Sequence, residues 1–74
     1  MHEKMIIAMS EVARALNVSL PLADMSVASF VEKSHTKVSP SFVEKLCMQS
    51  GVWVEPGMTR KQMINTLIKF VAEL

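Results

Sequence analysis

The sequence predicts an all-α fold, a small bundle of about four helices whose C-terminal half runs helix, extended segment, helix. Apolar residues recur at helical spacing in four separate segments. Two of those segments begin with a hydroxyl residue three positions before a Glu or Gln, which is the pattern of a capping box. The chain of 74 residues has the length of one domain. We therefore expect a single domain at 1–74, with a helical hairpin at 1–34 and the helix–extended–helix unit at 39–74.

The first helix is expected over 3–17. Met9 and Leu16 fall on its inward side, and Ile6 and Ile7 widen that apolar face. The charged residues of the segment fall mostly on the other side. This division predicts an amphipathic helix that packs on the rest of the bundle.

A second helix is expected to start at Pro21, which suits a first turn because its missing amide is not needed there, and to end near Ser34. The junction between the first two helices has part of a helix-turn-helix pattern, since small Ala13 precedes the turn and apolar Val18 follows it. Basic residues that would meet phosphates are missing between Val18 and Val31. The alternative is a plain helical hairpin that completes the core.

The third helix is expected over 40–50. Ser41 and Glu44 have the spacing of a capping box, with Ser39 as a rival cap. Gly51 is expected to end this helix, because glycine readily adopts the left-handed conformation found after many helices.

The chain should then be extended over Val52–Glu55, where β-branched and aromatic residues follow one another, without pairing to a strand. The last helix is expected over 59–73 and opens with a second capping box, Thr59 with Gln62. Its broad apolar stripe comprises Met63, Ile64, Leu67, Ile68, Phe70, Val71 and Leu74. We expect this stripe to be the largest contribution to the core.

The run from Phe42 to Phe70 resembles the helix–extended–helix of SAP, LEM-like and Rho-N-terminal-like modules. In those modules the first helix ends in Gly plus an apolar residue, and the second opens with a basic residue before a paired apolar step. The matching features here are Gly51-Val52, Arg60, Met63-Ile64 and Leu67. The resemblance covers about half the chain and implies binding to DNA or RNA.

The charge distribution points to the same helix. The net charge is only +1, yet the stretch from Gly57 to Ala72 carries three positive charges and no negative one. Lys61 and Lys69, with Asn65 between them, are spaced to lie along one side of the helix. The sequence thus predicts a nucleic-acid-binding module, with DNA as the expected partner. Its expected contact residues are Thr59, Arg60, Lys61, Asn65 and Lys69.

The alternative is a protein-interaction adaptor or inhibitor that works as a homodimer through an exposed, Met-rich apolar surface. Half of the residues are hydrophobic and seven are methionine, which is more apolar material than so small a domain easily hides. Ile6, Ile7 and Trp53 are the candidates for surplus apolar surface at the interface. A homodimer is expected in either case.

Catalytic and metal-binding classes are not expected. The chain has two histidines, one cysteine and no Gly-rich phosphate loop, so no enzymatic role, cofactor or metal site is predicted. Cys47 follows apolar residues on the third helix and is expected in the core. No apolar run is long enough to span a membrane, and a cytoplasmic location is the expectation.

Overall fold

The computed structural model describes residues 3–74, which fold into four α-helices and one short 3-10 helix. The helices α1 to α4 span Glu3–Leu16, Val27–Ser34, Pro40–Ser50 and Arg60–Ala72, and the 3-10 helix at His35–Lys37 follows α2 directly. No residue in this range belongs to a β-strand. The predicted all-α fold of four helices is confirmed, and the segment at 52–55 has no strand partner.

The last helix, α4, lies at the centre of the arrangement. It contacts α1 most extensively and also packs against α2, α3 and the 3-10 helix. Ala8 of α1 and Ala72 of α4 line one groove, while Val12 and Leu67 line another, and this order is that of antiparallel helices. The central position of α4 agrees with the large contribution to the core that its apolar stripe predicts.

One cluster of buried apolar side chains includes residues from all four helices. Its members are Ala8, Met9, Val12, Ala13, Leu16, Met25, Phe30, Val31, Val43, Cys47, Val52, Met63, Ile64, Leu67, Ile68 and Ala72. Cys47 is fully buried, as predicted. Phe70 and Val71 pack at the edge of the cluster, but Leu74 is 88% exposed, so its place in the predicted stripe is wrong. Leu74 lies beyond the end of α4, where helical spacing no longer sets the direction of a side chain.

The second helix begins six residues later than predicted, at Val27. Ser26 caps it, and its hydroxyl accepts a hydrogen bond from the amide of Ser29 at 3.1 Å. Ahead of that cap the chain makes a turn in which the Met25 amide donates to the Leu22 carbonyl, and this turn brings Met25 into the core. A serine cap with extended backbone and a buried apolar anchor outweigh the weak preference of proline for a first turn.

The helix-turn-helix interpretation is also wrong, because α2 begins too late in the chain to follow α1 across a short turn. The segment at 17–26 separates α1 from α2, and no helix follows α1 across a short turn. Asn17 adopts a left-handed conformation with φ 59°, and the Val18 amide donates to the Ala13 carbonyl at 2.9 Å. This is a Schellman motif, which ends α1 and redirects the chain.

The ends of α3 match the prediction in one case and correct it in the other. The rival cap is the real one: the Ser39 hydroxyl accepts from the Phe42 amide at 3.2 Å, so the capping box predicted at Ser41 is wrong. Pro40 occupies the first turn, where its missing amide costs nothing, and this fixes the cap one residue before it. Gly51 ends the helix with φ 84°, as predicted.

Candidate binding surfaces

The predicted nucleic-acid-binding residues all lie at the start or on the solvent side of α4. Lys61 and Lys69 are exposed and Asn65 is half-buried between them. Their spacing of four residues places them along one side of the helix, and no acidic residue of α4 interrupts that side. The line of polar residues that the sequence predicts is therefore present.

Arg60, by contrast, has a partner inside the protein. Its Nη1 atom donates a hydrogen bond of 2.7 Å to the carbonyl oxygen of Val38, which follows the 3-10 helix. The side chain is half-buried along this path. A charged donor on a carbonyl is among the stronger hydrogen bonds in proteins, so the guanidinium holds the start of α4 against this segment. Arg60 is a structural residue here, and its remaining donors are the only part left for a ligand.

Lys61 also has a partner, Glu32 on α2. The Lys61 Nζ atom lies 2.6 Å from a Glu32 carboxylate oxygen, and the imidazole of His35 lies 3.9 Å from the other oxygen. The hydrogen bond from Lys61 and its charge, with a smaller contribution from His35, lower the pKa of Glu32. A carboxylate held at this place reduces the positive potential of the basic side. Helical spacing on α4 gives no signal for Glu32, because the contact joins two helices.

Thr59 serves as the cap of α4. Its hydroxyl accepts from the Gln62 amide at 3.1 Å, and the Gln62 side-chain oxygen accepts from the Thr59 amide at 2.8 Å. This reciprocal pair confirms the predicted capping box. The amides of Arg60 and Lys61 lie in the first turn, where a helix has no acceptor of its own to offer them. These two amides are therefore the backbone donors that a ligand could use at this end of the helix.

The exposed apolar side chains come from several parts of the chain. The large hydrophobic residues that are exposed are Ile7, Phe42, Met48, Trp53 and Leu74. Of the three predicted interface residues, Ile7 and Trp53 are exposed and Ile6 is half-buried. Among residues 3–74 only one methionine is exposed, and the others are buried or half-buried. The described surface is therefore not Met-rich, because most methionines fill the core.

Trp53 is the exposed aromatic residue that stands out, with 76% of its surface accessible. The neighbouring residues anchor it on both sides. Val52 is buried and donates its amide to the Cys47 carbonyl at 2.8 Å, while Val54 packs at the edge of the core. Glu55 is exposed again, so side chains alternate inward and outward as in extended chain. Trp53 and Glu55 are thus exposed on a segment that Val52 and Val54 hold against the core.

A second apolar feature lies between the first half of α1 and the end of α4. Ile7, 53% exposed, shares a shallow groove there with Val71, Ala72 and Leu74. Lys4 and Glu11 lie on either side of Ile7 along α1, and both line the same groove. This surface does not include Trp53 or the basic side of α4.

Within residues 3–74 no group of three or more His, Cys, Asp and Glu side chains is placed to hold a metal ion. The same range contains no helix with the length and apolar character needed to cross a membrane. Burial raises the pKa of the Cys47 thiol, and the nearby charge of Glu44 raises it further. The Cys47 Sγ atom faces the Met63 carbonyl at 3.8 Å inside the core, where a thiolate nucleophile is disfavoured.

Comparisons with protein-family models, with curated proteins and with solved structures found no match to this chain. The resemblance of 42–70 to SAP and LEM-like modules accordingly stays a prediction. The class that fold and surface define is a small all-α protein with one anchored, exposed tryptophan and one partly neutralised basic side.

Proposed function

We propose that this chain is a non-enzymatic protein-interaction module, an adaptor or inhibitor, in which Trp53 is the anchor for the partner. The observation that carries the proposal is the 76% exposure of Trp53 on a segment fixed by buried Val52 and core-packed Val54. Tryptophan is the residue type most enriched among those that dominate binding energy at interfaces. An anchored tryptophan also loses little conformational freedom when it binds.

The area involved is large enough to matter. A tryptophan side chain buries about 150–250 Å² when fully covered. Covering the exposed three quarters at roughly 25 cal/mol per Å² gives about 3–5 kcal/mol before the costs of association. That is equivalent to roughly two to three and a half decades in affinity. No other exposed apolar side chain of residues 3–74 offers as much area in one place.

The charge beside Trp53 indicates the chemistry of the partner. Glu55 is exposed two residues further on, and in an extended segment that spacing places it on the same side as Trp53. A negative charge there opposes a nucleic-acid backbone and favours a partner that carries Lys or Arg near its tryptophan pocket. The partner that fits is therefore a protein surface with an apolar pocket beside basic side chains.

The proposal can be tested with three variants used as bait in parallel capture experiments. Trp53→Ala removes the anchor, Glu55→Arg reverses the neighbouring charge, and Met48→Ala serves as the control, since it removes another exposed apolar side chain. A protein captured by wild type and by Met48→Ala, but lost with the first two variants, is then purified. Its affinity for wild type and for each variant is measured by isothermal titration calorimetry, because Trp53→Ala lacks the single tryptophan. The fluorescence of Trp53 is followed in wild type during the same titration.

We expect a blue shift of that fluorescence on binding, as the indole leaves water. We also expect the dissociation constant to rise about a hundredfold with Trp53→Ala. If wild type and Trp53→Ala capture the same proteins with the same affinity, Trp53 is not the anchor. The proposal then fails.

A second candidate function is binding to nucleic acid, with DNA as the expected type. We propose it because Lys61, Asn65 and Lys69 lie along one accessible side of α4, and because Lys69 forms no ion pair within residues 3–74. The Lys61–Glu32 pair is exposed, and pairs of that kind contribute little, so a phosphate can compete for Lys61. This candidate ranks second because Arg60 is engaged with Val38.

Fluorescence anisotropy over a range of salt concentrations tests the second candidate with duplex DNA, single-stranded DNA and RNA. Wild type should bind one of them weakly, and Lys61→Glu with Lys69→Glu should reduce the salt slope by roughly two units. Lys33→Glu and Lys37→Glu together are the matched control, because they reverse two exposed charges that lie outside α4, on α2 and on the 3-10 helix. Equal loss with the control pair would indicate a general charge effect. No binding at low salt to any of the three would end this candidate.

A further inference from the structure

We infer that a second copy of this chain docks on α1, with the two α1 helices antiparallel about a two-fold axis that passes beside Ile7. The surface is the stripe formed by Lys4, Ile7 and Glu11. It is separate from Trp53, so this inference is independent of the proposed function and goes beyond it.

The three residues of the stripe share one side of α1. They are spaced by three and four residues, which places them one above the other on the helix surface. Lys4 and Glu11 are exposed, Ile7 is 53% exposed, and all three line the groove beside the end of α4. The positive charge before Ile7 and the negative charge after it give this side of α1 a direction.

The two charges have no partner within the described chain. Lys4 and Glu11 are seven residues apart, about 10 Å along the helix, which is too far for an ion pair between them. Neither forms an ion pair with any other residue in 3–74. The surface therefore presents one unpaired positive and one unpaired negative charge on either side of an apolar residue.

This pattern is self-complementary only when the helices run antiparallel. If the axis passes between residues 7 and 8, Lys4 of one copy faces Glu11 of its partner, and the same contact occurs a second time by symmetry. The two Ile7 side chains then meet near the axis. A parallel arrangement would place Lys4 against Lys4 and Glu11 against Glu11, which repel. The charges thus select both the occupant, a second copy, and its orientation.

The remaining properties of the chain fit this occupant. A net charge of +1 leaves little repulsion between two copies. Val71 is half-buried at the groove and is available for further contact with the incoming helix. One helix face with a neighbouring edge is at the small end of specific interfaces, so the dimer should be weak and concentration-dependent.

The test uses charge reversal and mixing, with the mass measured by sedimentation equilibrium from micromolar to millimolar concentration. Lys4→Glu and Glu11→Lys each place like charges opposite one another, so each variant alone should dimerise about tenfold more weakly or not at all. An equal mixture of the two variants should dimerise again. In that pair, two glutamates on one helix face two lysines on the other. The double variant, which carries both reversals in one chain, should also recover the wild-type affinity.

Two controls complete the design. Lys33→Glu changes the charge by the same amount on α2 and should leave the dimer intact, whereas Ile7→Ser should weaken it. Circular dichroism confirms that each variant keeps its helices. The inference is overturned if wild type stays monomeric at millimolar concentration. It is also overturned if the single reversals keep wild-type affinity, or if their mixture does not recover it.

Discussion

Replacing Arg60 by methionine separates a structural arginine from a phosphate-binding one. The change keeps most of the apolar stem and removes the donor that reaches the Val38 carbonyl at 2.7 Å. A hydrogen bond from a charged group contributes roughly 1.5–3 kcal/mol to stability. Because the site is only half-buried, water can replace part of the bond, and we expect a loss of about 1–2 kcal/mol. For a domain of this size that corresponds to a melting temperature lower by roughly 4–16 °C.

The measurement is urea unfolding followed by the helical circular dichroism signal. The Arg60→Met midpoint should fall while the slope stays constant, since wild type and variant expose the same amount of surface when they unfold. Lys69→Met is the matched control, because it removes a cation from the exposed side of the same helix and should change stability by no more than about 0.5 kcal/mol. If both variants unfold at the same midpoint, the guanidinium is not bonded to Val38. In that case Arg60 returns to the predicted phosphate-binding set.

Three further predictions concern the core, the start of α3 and the ion pair. Leu67→Ala should cost on the order of 2–5 kcal/mol in calorimetry or urea unfolding, because the side chain is only 2% exposed; a loss below about 0.5 kcal/mol would show that the site faces solvent. Ser39→Ala should lower stability by about 1 kcal/mol while Ser41→Ala changes it little, since only Ser39 caps the helix, and the opposite ranking would restore the capping box. NMR titration should find the pKa of Glu32 below its ordinary value in wild type and closer to that value in Lys61→Ala. The stabilisation from this pair is present above the ordinary carboxyl pKa and is lost as the pH falls through the lowered pKa. An unshifted pKa of Glu32 in wild type would contradict the pairing.

The order of the two functional candidates depends on contacts between elements. From the sequence, the basic side of α4 is the leading site and the apolar surface the alternative. In the structure Arg60 binds the Val38 carbonyl and Lys61 faces a carboxylate, while Trp53 stays exposed. What changes is how much of each side chain is still available to a partner.

Features set by neighbours in the sequence could be predicted. The Thr59–Gln62 capping box and the end of α3 at Gly51 involve residues a few positions apart, and their backbone geometry follows from side-chain chemistry alone. The core side of α4 follows equally, because helical spacing fixes which residues share a face. The all-α class is the sum of such local features.

Features that require distant residues to meet were decided only by the tertiary structure. The Arg60–Val38 hydrogen bond joins positions 22 residues apart, and the partner of Lys61 lies on another helix. The start of α2 belongs to the same group: Pro21 is a permissible helix start, but burying Met25 in the core places the cap after it. Local propensities differ by about a kilocalorie per mole, whereas burying one large apolar side chain contributes roughly 1.5–3 kcal/mol. Where the two compete, packing decides, and no local pattern in the sequence records that packing.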